Sequence, residues 1–260
     1  MADTRSGKER NRRVSLPPRL AAVAEWTPPA CRLADVGADH GYLSIALVQS
    51  GRCRSVIACD VAAGPLDNAR RNIEAAGVRG IRLRLGDGLS AVAPGEVDCV
   101  AIAGMGGDLM ARIIRDAGWL RSPDKRLVLQ PMSAAEELRA YLYTAGFAIP
   151  RERAVLDRGR LYTVMEARFT GRQICGTDSS LTLPLQVGGP AFIGGLSRRG
   201  DALALRYIDR QLSRLERWAA AIAGVPRKAD EYHRLLEIIE EIRSVRPSGS
   251  DCVPTQGLPQ

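Results

Sequence analysis

A chain of 260 residues, 45% of them hydrophobic, is long enough to bury the core of one α/β domain and leave about a third for a second unit. No apolar run approaches the roughly 20 residues a bilayer span needs, and the polar, basic start lacks the hydrophobic stretch of a secretory signal, so a soluble cytoplasmic protein is expected. The net charge of +8 is uneven: residues 1–19 hold six Arg/Lys against two acids, residues 197–246 eleven against eight, and residues 20–196 twenty against eighteen. Positive charge therefore collects at both ends, as a grip on a polyanion such as RNA requires.

Residues 1–13 are almost free of apolar side chains and are expected to form a disordered basic tail. Leu16, Leu20, Val23 and Ala24 then recur at helical spacing before Pro28-Pro29, predicting a short leading helix. Residues 31–36 read as a first strand, 42–50 as a helix and 55–59 as a second strand. Pro65 opens a helix to about Ala76, at a first-turn position that proline tolerates. Residues 81–85 alternate as a third strand, 97–102 are an apolar fourth, and Leu109, Ile113, Ile114 and Ala117 mark the helix after it. A fifth strand over 126–129 is closed by Gln130-Pro131, and a helix through Leu138, Tyr141, Leu142 and Ala145 ends at Gly146. The period then changes: residues 154–156 and 161–169 flank Asp157-Arg158-Gly159-Arg160, a hairpin signal.

These elements assign residues 14–170 to one α/β domain. Residues 171–196, with their Gly and Pro clusters, are expected to be a linker. Beyond it, Leu205, Ile208, Leu212, Leu215, Ala219 and Ile222, then Tyr232, Leu235, Ile239 and Ile242, follow alternating steps of three and four on either side of Gly224-Val225-Pro226. That pattern predicts an antiparallel coiled-coil hairpin over 197–246, followed by a disordered tail over 247–260. Cys31, Cys53, Cys59, Cys99, Cys175 and Cys252 show no C-x-x-C spacing and read as reduced structural thiols.

The junction from Leu33 to Leu43 places two glycines and two carboxylates where a strand meets a helix, the position at which an open α/β sheet admits a nucleotide-like ligand. A dinucleotide fingerprint beginning at Gly37 needs glycines where Asp39 and Tyr42 stand. Asp35 two residues before Gly37, with Gly41 four after it, fits instead the looser (D/E)-x-G-x-x-x-G loop of class I S-adenosylmethionine-dependent methyltransferases. In that loop Gly37 and Gly41 allow close backbone approach, and Asp35 faces a cationic methionyl end. Asp60, nineteen residues after Gly41, is placed to accept from both ribose hydroxyls, and Asp87 between Gly86 and Gly88 to accept from an adenine amine. Ala103-Gly104-Met105-Gly106-Gly107 makes a loop of little bulk at the same sheet edge, into which a planar substrate can slide.

Read together, Asp35-Val-Gly-Ala-Asp-His-Gly-Tyr-Leu43, Gly64-Pro65-Leu66 with Ala69 and Asn72, Gly86-Asp-Gly-Leu89 and Ala103-Gly-Met-Gly-Gly107 resemble the bacterial tRNA (adenine-N1)-methyltransferases that modify adenosine 22 of the D-arm. The resemblance runs from about Leu16 to Phe169, includes Gln130-Pro131 and the Asp157–Tyr162 hairpin, and extends to the C-terminal helices. It implies a class I, Rossmann-like seven-stranded sheet with a helical hairpin, tRNA as partner, a monomer or weak homodimer, and no metal. It also implies S-adenosyl-L-methionine as cofactor, held by Asp35, Gly37, His40, Gly41, Asp60, Asp87, Gly88, Ala103 and Gly104. Asp39 is the expected stabiliser of charge developing on the base, and Gln130 the expected partner of the adenine edge. His40 is expected at a phosphate or the base, and Met105 or Tyr162 against the base's face.

Arg206 and Arg210 suit phosphates, on a flank shared with Arg214 and Arg217 and diluted by Asp209 and Glu216. This chain departs from the family at Met132, where Asn usually follows Gln-Pro, at Ser44, where Pro is usual, and at Cys59-Asp60 in place of Gly-Glu. Three other readings stay open. N6-adenine methylation wants an Asn/Asp-Pro-Pro-aromatic motif where A-G-M-G-G stands, a non-catalytic RNA-binding protein would not keep Asp35, Asp60 and Asp87 together, and a small-molecule methyltransferase would ignore RNA.

Overall fold

The computed structural model describes residues 13–173, 180–198 and 200–247. Nearly all of the two expected tails, with Cys175 and Cys252, lies outside the described residues. A leading helix α1 (Pro18–Trp26) precedes alternating strands and helices: β1 (Cys31–Val36), α2 (Tyr42–Gln49), β2 (Cys53–Asp60), α3 (Ala63–Ala76), β3 (Ile81–Leu85), β4 (Cys99–Gly106), α4 (Gly107–Asp116), β5 (Arg126–Ser133) and α5 (Ala135–Thr144). The hairpin β6 (Phe147–Asp157) and β7 (Arg160–Phe169) closes one seven-stranded sheet in the order β3-β2-β1-β4-β5-β7-β6. All strands are parallel except β7, which pairs antiparallel with both β5 and β6.

Both faces of this sheet are covered, which is why its central strands read as nearly continuous apolar runs. Leu33, Val56 and Val128 pack one face against Ala22, Val23 and Trp26 of α1 and Leu43 and Leu47 of α2. Ala34, Val36, Ile57 and Ile102 pack the other against Met110 and Ile114 of α4 and Leu138 and Leu142 of α5. The hairpin turns through Arg158 and Gly159, both at positive φ (48° and 76°), the two-residue turn whose twist matches the strands it joins.

The strands outrun their apolar cores. β4 continues through Gly106 with register shifts between Ala103 and Gly106, and β5 through Ser133, so Gln130-Pro131 lies inside β5 rather than closing it. Hydrophobicity ends where these strands leave the helices' cover, but the backbone ladder goes on.

The expected linker is also ordered over much of its length. Two short helices, α6 (Leu183–Val187) and α7 (Gly189–Ile193), bury Leu185, Val187, Ala191, Phe192 and Ile193 in a second core with α8 (Ala202–Ile222) and α9 (Ala229–Val245). Proline in the first turn of each short helix and glycine at its end break the apolar pattern into pieces too short to show a period. α8 and α9 form an antiparallel pair: Trp218 of α8 donates to Glu231 early in α9, and Arg246 after α9 reaches back to Asp209.

Arg139 ties this second core to the sheet. Its guanidinium, fully buried, pairs with Glu152 of β6 at 2.6 Å and donates to the carbonyls of Ala191 and Phe192 and the hydroxyl of Tyr207. One residue of α5 therefore joins β6, α7 and α8.

Candidate active site

At the carboxyl edge of β1 and β4 a cavity of about 960 Å³ is lined by Asp35, Gly37, Ala38, Asp39, His40, Ala103 and Gly104, together with Arg19 of α1 and Asp157-Arg158 of the hairpin turn. Asp35 is the deepest acid, 3% exposed, and accepts from the Ser44 hydroxyl at 2.6 Å. Burial pushes its carboxyl up to about 6, against the opposing pull of the Ser44 hydrogen bond. Ser44, one of the positions that depart from the resembled family, thus holds the acid that faces the cavity.

Asp39 sits at φ 49°, a left-handed backbone that aspartate tolerates, with its side chain 65% exposed and its Oδ2 3.7 Å from Nε2 of His40. The amide N–H of Asp39 donates to Asp60 at 3.2 Å, and Ala62 donates to the other Asp60 oxygen at 3.1 Å. Each oxygen of Asp60 keeps acceptor capacity for a hydroxyl. The loop is braced from α3, where Asn72 donates to the carbonyl of His40 at 2.9 Å.

The two loop glycines serve different ends. A Cβ on Gly37 would lie 2.1 Å from Cε of Met105, so the bare backbone there is what lets Met105 fold over the loop. Gly41, at φ 72°, is buried and does not line the cavity, and a Cβ there would press on Ala69 of α3 at 3.2 Å. Asp87 and Gly88 are likewise separate from the main cavity: they line one of about 380 Å³ with Arg112 and Trp119, and Asp87 lies 3.7 Å from Arg112.

Gln130, expected at the base, is instead wholly enclosed. Its carbonyl accepts from Nη1 of Arg19 at 3.1 Å and its amide donates to the Pro131 carbonyl at 2.9 Å. Arg19 also pairs through Nε with Asp157 at 3.1 Å. Sequence reasoning missed Arg19, counting it only as one of the basic residues near the N-terminus. Its partners lie on β5 and at the end of β6, far away in sequence, so no local pattern signals it.

On the far side of Gln130 a groove of about 350 Å³ runs from Pro131 and Met132 to α8, lined by Tyr162, Glu136, Arg210, Arg214 and Arg217. Tyr162 belongs to this groove and not to the main cavity. Arg214 is ion-paired with Glu136, while the acids that interrupt the arginine row, Asp209 and Glu216, are taken by Arg246 just after α9 and by Arg243 within it. Arg206 is exposed one turn before Arg210 but does not line the groove.

A cavity of this size beside glycine-bearing loops, with the buried carboxyl of Asp35 at its floor and Asp60 bonded behind its loop to the Asp39 amide, fits S-adenosyl-L-methionine. Residues 16–165 match the family model described as a methyltransferase domain, so the fold and site define a class I methyltransferase with that cofactor. More narrowly, the chain is 35% identical over 176 residues, 67% of its own length and 74% of the relative's, to the tRNA (adenine(22)-N(1))-methyltransferase of Bacillus subtilis. It belongs to that family. The crystal structure of the B. subtilis m1A22 tRNA methyltransferase TrmK is matched over 89% of this chain and 99% of that one, at 29% identity and a TM-score of 0.74. A candidate tRNA (m1A22) methyltransferase of Streptococcus pneumoniae, solved with S-adenosyl-L-methionine, is matched over 87% of this chain and 97% of that one, at 31% identity and a TM-score of 0.68. Among the described residues no helix is long and apolar enough to cross a membrane.

Proposed function

We propose that this chain is a cytoplasmic enzyme that methylates N1 of an adenine in tRNA, at adenosine 22 of the D-arm. The observation that supports the reading best is the adjacency, across Gln130 and Arg19, of the acid-bearing cavity and the groove lined by Tyr162 and the α8 arginines. One holds a sulfonium cofactor and the other a nucleotide strand. When bound, S-adenosyl-L-methionine supplies an electrophilic methyl group. Adenine N1 carries its own lone pair, so the protein need remove no proton and its work is alignment, an effect worth roughly 7 kcal/mol or more in well-oriented reactions.

The methylated base is a cation. Asp39, exposed at the cavity mouth, stabilises that developing charge, and its neighbour His40 holds the base or a phosphate beside it. Met105, lying over Gly37, packs against the base, which must leave its stack to present N1. Gln130 acts through Arg19 and does not touch the base. Tyr162, Met132 and Arg210 in the groove, with the exposed Arg206 one turn away, guide the RNA toward the cavity.

Methyl-labelled cofactor and unmodified tRNA transcripts test this. Label is expected in transcripts with adenosine at position 22 and absent when that one residue is guanosine. Label that ignores the change would place the target elsewhere, and label in neither transcript would remove tRNA as the substrate.

A further inference from the structure

Three thiols meet at the amino edge of the sheet, at the end of β1 opposite the cavity. Cys31, Cys53 and Cys99 are the first residues of β1, β2 and β4, which are adjacent in the order β2-β1-β4, and all three join the core formed with α1 and α2. Cys31 and Cys53 are partners in the parallel ladder, where a register shift follows Cys31, and their sulfurs stand 3.6 Å apart. Paired strands lie about 4.8 Å apart, inside the Cα span of about 4.4–6.8 Å that a disulfide bridges. Both thiols are free and keep a trace of exposure, 6% and 5%, whereas Cys99 has none. Hydrogen bonds with Cys53 and Cys99 hold the Cys31 thiol below the ordinary thiol range, while the bond to Cys31, and then burial, push Cys53 up, so Cys31 is the better nucleophile of the pair. Cys59, further along β2, belongs to the other core, and burial pushes its thiol up to about 11.

We propose that Cys31 and Cys53 are a site of reversible two-electron oxidation, joined as a disulfide by hydrogen peroxide. The Cys31 thiolate attacks one peroxide oxygen, the O–O bond breaks and hydroxide leaves, giving a sulfenic acid on Cys31. The Cys53 thiol then attacks that sulfur: the S–S bond forms, the S–O bond breaks, and the Cys53 proton leaves with the hydroxyl as water. Two thiols are oxidised, and one peroxide, with their two protons, is reduced to two waters. The bond closes the chain between residues 31 and 53, a loop that contains Asp35, Gly37, Asp39 and His40. Oxidation therefore clasps the segment that carries the cavity loop without entering the cavity.

The test is peptide mapping of the native full chain after treatment with hydrogen peroxide, with the remaining thiols alkylated in denaturant before digestion without reductant. The expected product is a peptide pair linked through Cys31 and Cys53 that dithiothreitol separates, with Cys59 alkylated and unlinked. Cys53→Ser is expected to stop at a sulfenic acid on Cys31, which dimedone traps; the wild-type map carries the test if that variant does not fold. The linked form is expected to unfold about 5–10 °C above the reduced form, because a disulfide restricts the unfolded chain. Thiols that all remain free, a sulfinic acid on Cys31 beside a free Cys53, a link from Cys31 to Cys99, or a link that forms in urea but not in native buffer would overturn the pairing. A folded Cys53→Ser without the dimedone adduct on Cys31 would overturn the order of attack, and a lower Tm in the linked form would overturn the clasp.

Discussion

Two buried charged residues in this molecule are treated in opposite ways. Arg139, at the junction with the C-terminal helices, has Glu152, two carbonyls and Tyr207 around it, and its charge is answered on every side. Asp35, at the floor of the cavity, is equally enclosed yet has only the hydroxyl of Ser44 as a side-chain partner. The first arrangement spends burial on holding two parts of the chain in register, and the second keeps a charge poorly satisfied so that a ligand can satisfy it. Structural and functional burial of charge can therefore be told apart by what remains unpaired.

The sharpest way to break that comparison is to remove each charge. Arg139→Ala strands Glu152 inside the protein and is expected to cost about 3–5 kcal/mol in urea unfolding. A loss no greater than that of a surface substitution would show that the junction does not depend on the pair. Asp35→Asn should act in the opposite direction on stability. With its carboxyl raised from 3.8 to about 6, Asp35 destabilises the fold above pH 6 by about 3 kcal/mol at most, and asparagine removes that penalty. The same variant should weaken cofactor binding at least tenfold, so a higher Tm with lower affinity is the expected signature.

pH sharpens the contrast further. Because the folded carboxyl is raised, the unfolded chain gives up its proton first, and the penalty from Asp35 grows as pH rises from about 4 to 6 and is complete above that. Only the ionised form pairs with an ammonium, so affinity for the cofactor should fall toward tenfold per pH unit below about 6. In Asp35→Asn that limb of the profile should flatten. The smallest effect is expected of Ser44→Ala: loss of the donated hydrogen bond lifts the carboxyl further, moving the midpoint of the affinity profile upward by less than about one unit. A downward shift would mean that Ser44 does not support the ionised form.

Much of the fold was legible because the sheet is covered on both faces, which leaves apolar runs such as residues 97–102 standing out between glycine-bearing turns. That Asp35, Gly37 and Asp39 fall together at one cavity was legible for a local reason, since they share one strand-to-helix loop. Where a residue's surroundings come from partners far away in sequence, the structure adds what no local pattern carries. Gln130 looks like a ligand contact at a strand end until Arg19 and Pro131 are seen to occupy it. Gly41 reads as a glycine of the cavity loop, and the structure adds Ala69 of α3 packed against it. Residues 183–193 look like a linker because each short helix is interrupted before a period can form.

The most direct test of the account is the identity of the modified nucleoside. Transcripts treated with the purified chain and S-adenosyl-L-methionine, digested and resolved by mass spectrometry against standards, should contain 1-methyladenosine. N6-methyladenosine, or a methylated nucleoside other than adenosine, would contradict the claim that the cavity presents N1 of adenine to the methyl group.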